Sequence, residues 1–310
     1  MTSVTEAVAA LDCGSNSTRL LIVDANNTTL RREMRITRLS QGVDASGTLA
    51  AAALLRTYDV LGAYRTMMDE AGVTRGLLVA TSAVRDASNG ALFLDEARRI
   101  AGVEARILTG AEEAALSYAG ATAGLAPDPR PTLIVDVGGG STELAVKLDG
   151  VLHSCSMQLG CVRVTERALG RGVVEPASDD AARAMIDAEL DRAWEQVPDF
   201  ASLVGHVRMV GLAGSVSTLA QLDAGISVYD RDAVHLRHIS RRSVVTWRDR
   251  LAGEAPEARL ARPGMVAGRE DVLHAGLYVL CAVMERFDVD ELLSSENDIL
   301  DGIAASILGA

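Results

Sequence analysis

Two short stretches of this sequence join an acidic residue to a run of small ones. Residues 12–20 read Asp12-Cys13-Gly14-Ser15-Asn16-Ser17-Thr18-Arg19-Leu20, and residues 136–144 read Asp136-Val137-Gly138-Gly139-Gly140-Ser141-Thr142-Glu143-Leu144. Laid over one another, they share Asp, Gly, Ser, Thr and Leu in register. Each copy follows an apolar run (residues 7–11 and 132–135) and leads into another (20–23 and 144–146), the pattern of strand, tight glycine turn and strand. Small residues whose backbone amides point one way make a nest for phosphate oxygens. The expected cradle is therefore Asp12, Ser15, Asn16 and Ser17 in the first copy, and Gly138, Gly139, Gly140, Ser141 and Thr142 in the second.

The copies differ in one telling place. Arg19 in the first stands where Glu143 stands in the second. An arginine holds phosphate through bidentate hydrogen bonds, whereas a carboxylate near phosphate makes sense with a cation between them or as the manager of a proton. Two related domains facing across a cleft are expected, one wall gripping phosphate and the other supporting a metal or a water. Arg19 is expected to face solvent, with few packed neighbours.

Positioning these turns requires strands, and the rest of the chain alternates strands with helices. Residues 28–36 read as a strand, 49–71 as a helix with Leu54, Leu55, Val60, Leu61, Tyr64 and Met68 near helical spacing, 77–80 as a strand, 92–100 as a helix, 105–108 as a strand and 112–123 as a helix. Three prolines crowd into residues 124–131, which is linker chemistry, and the domains are drawn as 1–126 and 127–310. Beyond the second hairpin come helices at 162–169 and 178–196, a strand at 207–210 and mostly helix. Strands alternating with helices give an α/β class.

Composition removes several functions. A net charge of -12 in 310 residues argues against nucleic acid as partner, which needs an extended basic surface. Lys147 is the single lysine, so no Walker-type GxxxxGK[ST] loop exists. The longest apolar run, 272–284, falls short of a membrane span. No export signal is read at the N-terminus, and a cytoplasmic location is expected. Cys13, Cys155, Cys161 and Cys281 form no CxxC pair, so neither disulfide nor zinc is expected, and Cys13 reads as a small buried hydrophobe. His235 and His238, three apart, are at a spacing that one helix face allows, but a surface or core role is expected for them rather than a metal site.

With these motifs, the chain resembles the exopolyphosphatase and guanosine pentaphosphate phosphatase family, within the actin-like ATPase and sugar kinase superfamily. The resemblance rests on residues 12–19, 80–90 (ATSAVRDASNG), 109–114 (TGAEEA), 136–144, 211–215 (GLAGS) and 268–271 (GRED). It implies the short form of the family: two ribonuclease-H-like domains with the active site in the cleft between them, and a homodimer. Glu113 falls where the family has its catalytic glutamate, whereas Glu112 reads as an acid favouring the first turn of a helix. Asp136 and Glu143 resemble a metal pair for magnesium, with manganese as its substitute; Glu143 alternatively positions the attacking water. Arg19 and Arg85 are the expected phosphate clamps. Gly214 and Ser215 resemble the superfamily's second glycine loop, and Arg269 is expected to reach further phosphates.

The function expected is hydrolysis of the terminal phosphoanhydride of inorganic polyphosphate. Guanosine pentaphosphate is the alternative substrate, since no guanine pocket is legible. A kinase of the same superfamily fits less well, because Arg19, Glu113 and Glu143 suit water as acceptor. A sensor that binds polyphosphate or the alarmone without cleaving it carries the same motifs.

Overall fold

The computed structural model describes residues 6–309. They group into two compact units, Met1–Gly120 with Asp298–Ala310, and Ala121–Asn297. The division differs from the expected 1–126 and 127–310 in two ways. It falls at the end of a helix, Gly110–Thr122, before the prolines, and the last segment returns to the first unit.

Unit 1 is built on β1 (Ala7–Cys13), β2 (Ser17–Val23), β3 (Thr29–Ile36), β4 (Val73–Ala80) and β5 (Glu104–Ile107), in the order β3-β2-β1-β4-β5. The first three run antiparallel, while β4 and β5 run parallel to β1. Both faces of β1 are covered, which explains its unbroken apolar run. Side chains alternate across a strand. Ala9 and Leu11 pack with Leu61, Tyr64 and Met68 of the helix Ala51–Glu70 and with Phe93 and Ala97 of the helix Gly90–Ala101. Val8 and Ala10 pack instead with Ile299, Leu300, Ile303 and Ala304 of the helix Ile299–Leu308.

Unit 2 repeats this plan with β6 (Thr132–Val137), β7 (Thr142–Leu148), β8 (Val151–Met157), β9 (Arg208–Leu212), β10 (His238–Ser240) and β11 (Glu291–Ser294). Their order is β10-β11-β9-β6-β7-β8. Again an antiparallel three-stranded half, β6 to β8, joins a parallel half, β6, β9 and β11. The α/β class with two ribonuclease-H-like sheets stands, and the sequence repeat is a repeat of the sheet itself.

Several local expectations change. The region read as mostly helix contains β10 and β11, and β8 was not expected. The expected helix at 162–169 is a single α-turn, Cys161–Val164, running into a wide turn, Thr165–Leu169, closed by a Gly170 N–H bond to the Thr165 carbonyl (2.8 Å). His235 and His238 share no helix, because His238 lies in β10. No described helix is long and apolar enough to cross a membrane.

Candidate functional site

Both glycine turns are closed by the same bond. Gly14 N–H donates to the Ser17 carbonyl and Gly138 N–H to the Ser141 carbonyl, each at 3.0 Å. A side chain at Gly14 or Gly138 would press on those same carbonyls, at 3.2 and 3.0 Å. Past the closing bond, the amides of Ser15 and Asn16, and of Gly139, Gly140 and Ser141, take no protein acceptor among the described residues. Consecutive unpaired amides on a tight turn have the character of an anion nest.

In unit 1, Asp12 sits opposite Arg19 across β1 and β2. The guanidinium donates from Nε (3.0 Å) and Nη2 (2.6 Å) to Asp12 Oδ2, and from Nη1 to Asp298 Oδ2. Arg19 is thus a partly buried ion-pair hub, which corrects the expectation of an arginine facing solvent. Arg32 on β3 extends the ring, bonding Asp301 (2.6 Å) and lying 3.7 Å from Asp298. Burial raises the Asp12 carboxyl above its usual range, with Arg19 opposing. For Asp298, burial pushes upward, yet Arg19 and Arg32 outweigh it and hold the carboxyl low.

Three buried polar atoms along this turn have no protein partner: Asp12 Oδ1, Asn16 Nδ2 and Ser40 Oγ. Ser15 Oγ meets Ser82 Oγ at 3.0 Å. Ser40 was not singled out in the sequence; its amide donates to the Ser15 carbonyl (2.8 Å), a fold-dependent contact that no spacing announces. Cys13 is buried, and burial pushes its thiol well above the usual range, which agrees with its reading as an inert hydrophobe.

Also in unit 1, Glu113 lies in the first turn of the helix Gly110–Thr122 and is only 9% exposed. Arg85 Nη1 lies 3.4 Å from Glu113 Oε2 and donates to the Leu108 carbonyl (2.7 Å), so the expected clamp and the expected base are neighbours. Glu112 has the structural role read for it. Its carboxylate accepts from the Thr109 amide (2.8 Å) and hydroxyl (2.9 Å), capping the helix.

In unit 2, Asp136 and Glu143 face each other at the register position that Asp12 and Arg19 occupy in unit 1. Like charges directly opposed on a sheet repel. Glu143 Oε1 accepts from the Ser156 hydroxyl (2.6 Å). Two hard carboxylates so placed fit a magnesium ion that keeps waters and substrate oxygens as its other ligands. No group of three candidate ligands occurs among the described residues, so an all-protein cage is not offered.

The carbonyls of the second turn are turned away from its amides. The Gly138 carbonyl accepts from Cys161 N–H (2.9 Å), Gly139 from Val162 N–H (2.9 Å) and Gly140 from Arg163 Nε (2.8 Å). Thr142 Oγ1 donates to the Leu159 carbonyl. Gly160, absent from the sequence reading, makes this possible, since a Cβ there would overlap the Gly139 backbone. Gly214 leaves room for Arg269 in the same way: a Cβ would overlap its guanidinium. Ala213 beside it has φ 64, a left-handed conformation that signals strain in a non-glycine residue. Cys161 links the parts. Burial raises its thiol while the Arg269 charge and a Ser215 hydrogen bond oppose. The second turn, Ser215 and Arg269 are thereby gathered around one residue.

The sequence profile of the Ppx/GppA phosphatase family matches residues 21–310. The chain belongs to that family. Among Ppx/GppA relatives, Exopolyphosphatase 2 of Mycobacterium tuberculosis is 38% identical over 318 residues, covering 97% of this chain and 98% of its own. A crystal structure of an exopolyphosphatase-like protein superposes with a TM-score of 0.91 at 33% identity, covering 98% of this chain and 99% of that one. The Ppx/GppA member from Aquifex aeolicus gives 0.79 at 27% identity, covering 98% of both chains.

Proposed function

We propose that this chain is an exopolyphosphatase, which hydrolyses the terminal phosphoanhydride of inorganic polyphosphate and releases orthophosphate. The observation that carries the reading is the pair of glycine turns closed by the same bond, with amides lacking protein acceptors and with Asp–Arg in one register position and Asp–Glu in the other. The 38% identical relative bears the name of that activity, which supports the same substrate.

In this mechanism the turn amides bind phosphate oxygens. Arg85 orients Glu113, and Glu113 takes the proton from the attacking water as its oxygen bonds the terminal phosphorus and the bridging P–O bond breaks. Asp136 and Glu143 would hold magnesium, or manganese in its place. When bound, the ion neutralises charge on the phosphate oxygens.

The test is phosphate release from polyphosphates of several lengths and from guanosine pentaphosphate, side by side, with magnesium, with manganese and with chelator. Ion-dependent release that is fastest from polyphosphate is expected, and Glu113→Gln is expected to abolish it while substrate affinity, measured by direct binding, stays within a few-fold. Release from guanosine pentaphosphate alone would reassign the substrate. Binding of either without release would make the chain a sensor.

A further inference from the structure

Arg259 is fully enclosed within unit 2, at 0% exposure, and a guanidinium stays charged wherever it is placed. No carboxylate among the described residues lies within bonding reach of it. Its Nε donates to the Leu251 carbonyl (2.7 Å), Nη1 to the carbonyls of Arg171 (3.0 Å) and Glu270 (3.2 Å), and Nη2 to the Gly172 carbonyl (2.6 Å). Nη1 also lies 3.1 Å from His274 Nδ1. Because a guanidinium only donates, Nδ1 is the acceptor and the His274 proton sits on Nε2. That nitrogen donates to the Gly170 carbonyl (3.0 Å), and His274 is itself at 0% exposure.

Two buried side chains therefore take three successive carbonyls, those of Gly170, Arg171 and Gly172, and Arg259 takes the Glu270 carbonyl as well. A second tie runs beside the first, from Arg171 Nη1 to Asp271 Oδ2 at 3.3 Å. Arg269 directly precedes Glu270, and its guanidinium lies over Gly214. Glu254 and Asp271 favour the charge through space, yet neither is in contact with it; such a buried charge is expensive to desolvate, and an apolar side chain of similar size would often serve stability as well. What the charge supplies here is a fork of donors that no apolar residue offers.

We propose that Arg259 and His274 are positioning residues for Arg269, joining the 170–172 turn to the 269–271 segment so that the Arg269 guanidinium stays pressed on Gly214 beside the second glycine turn. This rests on the exopolyphosphatase reading above and on the expectation that Arg269, in the GRED motif, reaches further phosphates of the substrate.

The experiment has two arms, on Arg259→Lys, His274→Leu and His274→Gln, each also combined with Arg269→Ala. In the first arm, amide hydrogen exchange of the unliganded protein is followed across 168–173 and 266–272, with the melting temperature as control. Faster exchange confined to those segments is expected for Arg259→Lys and His274→Leu, and partial recovery for His274→Gln, whose amide both accepts and donates. Unchanged exchange in a folded variant overturns the proposal whatever the substrate is. In the second arm, KM for polyphosphate is expected to rise about tenfold with kcat nearly kept, the mark of lost uniform binding, and to rise no further in the Arg269→Ala background. An equal rise in both backgrounds overturns the proposal. If the unmutated protein releases no phosphate, the functional reading falls and exchange alone decides the clamp. Should Arg259→Lys fail to fold, the two His274 variants carry both arms.

Discussion

The Asp12 carboxylate and the Arg19 guanidinium face each other across β1 and β2, and Asp298 closes the group from the start of the last helix. Removing one partner of such a buried set leaves uncompensated charge behind. Arg19→Ala is expected to destabilise unit 1 by about 3 kcal/mol, with part of that recovered when Asp298→Asn is added. Urea unfolding checks this, and a change below about 0.5 kcal/mol would show the ring to be structurally idle. A second prediction concerns acid. Burial, with the Arg259 charge, depresses His274 to about 3, against 6.5 in the unfolded chain. The folded protein refuses a proton that the unfolded chain accepts, so this contribution is complete above 6.5 and is lost as pH falls from there toward 3. Between pH 7 and 5 it should amount to about 2 kcal/mol, and His274→Leu should remove that share of the slope in stability measured against pH.

The hairpins are elements whose two halves need different neighbours. Gly160→Ala would drive a methyl group into the Gly139 backbone, and the second turn must shift to admit it. A loss of about 1 to 3 kcal/mol is expected from such overpacking. Activity should fall further than stability, which parallel unfolding and turnover curves would reveal; a stable, fully active Gly160→Ala would mean that the turn tolerates displacement. How much of this was legible follows from the range of each interaction. The glycine turns and the helix carrying Leu61, Tyr64 and Met68 announce themselves through local spacing. β10 spans three residues and β11 four, too short for a period to emerge, and β8 is diluted by His153, Ser154 and Ser156. The Arg19–Asp298 pair and the Arg259 contacts to Arg171 and Gly172 join residues far apart in the chain, so packing creates them and no local pattern foretells them. Glu113 and Arg85 were found through the resemblance, and their proximity emerged with the fold.

At the scale of the molecule, unit 1 is not one continuous stretch of chain. Ile299, Leu300, Ile303 and Ala304 cover the face of the first sheet that Val8, Ala10, Leu21 and Val23 present. Deleting residues 298–310 should expose that face, so the shortened protein is expected to aggregate or to lose the unit 1 transition in calorimetry, while unit 2 keeps its own. A shortened protein with both transitions intact would mean that the helix is dispensable. The same arrangement bears on biosynthesis. At about 5 to 20 residues per second, a ribosome that has finished Gly120 works for roughly 10 to 35 seconds on unit 2 before the covering helix is made. Through that interval the nascent chain carries the apolar face of Val8, Ala10, Leu21 and Val23 without its covering helix, until Asp298 and the residues after it emerge.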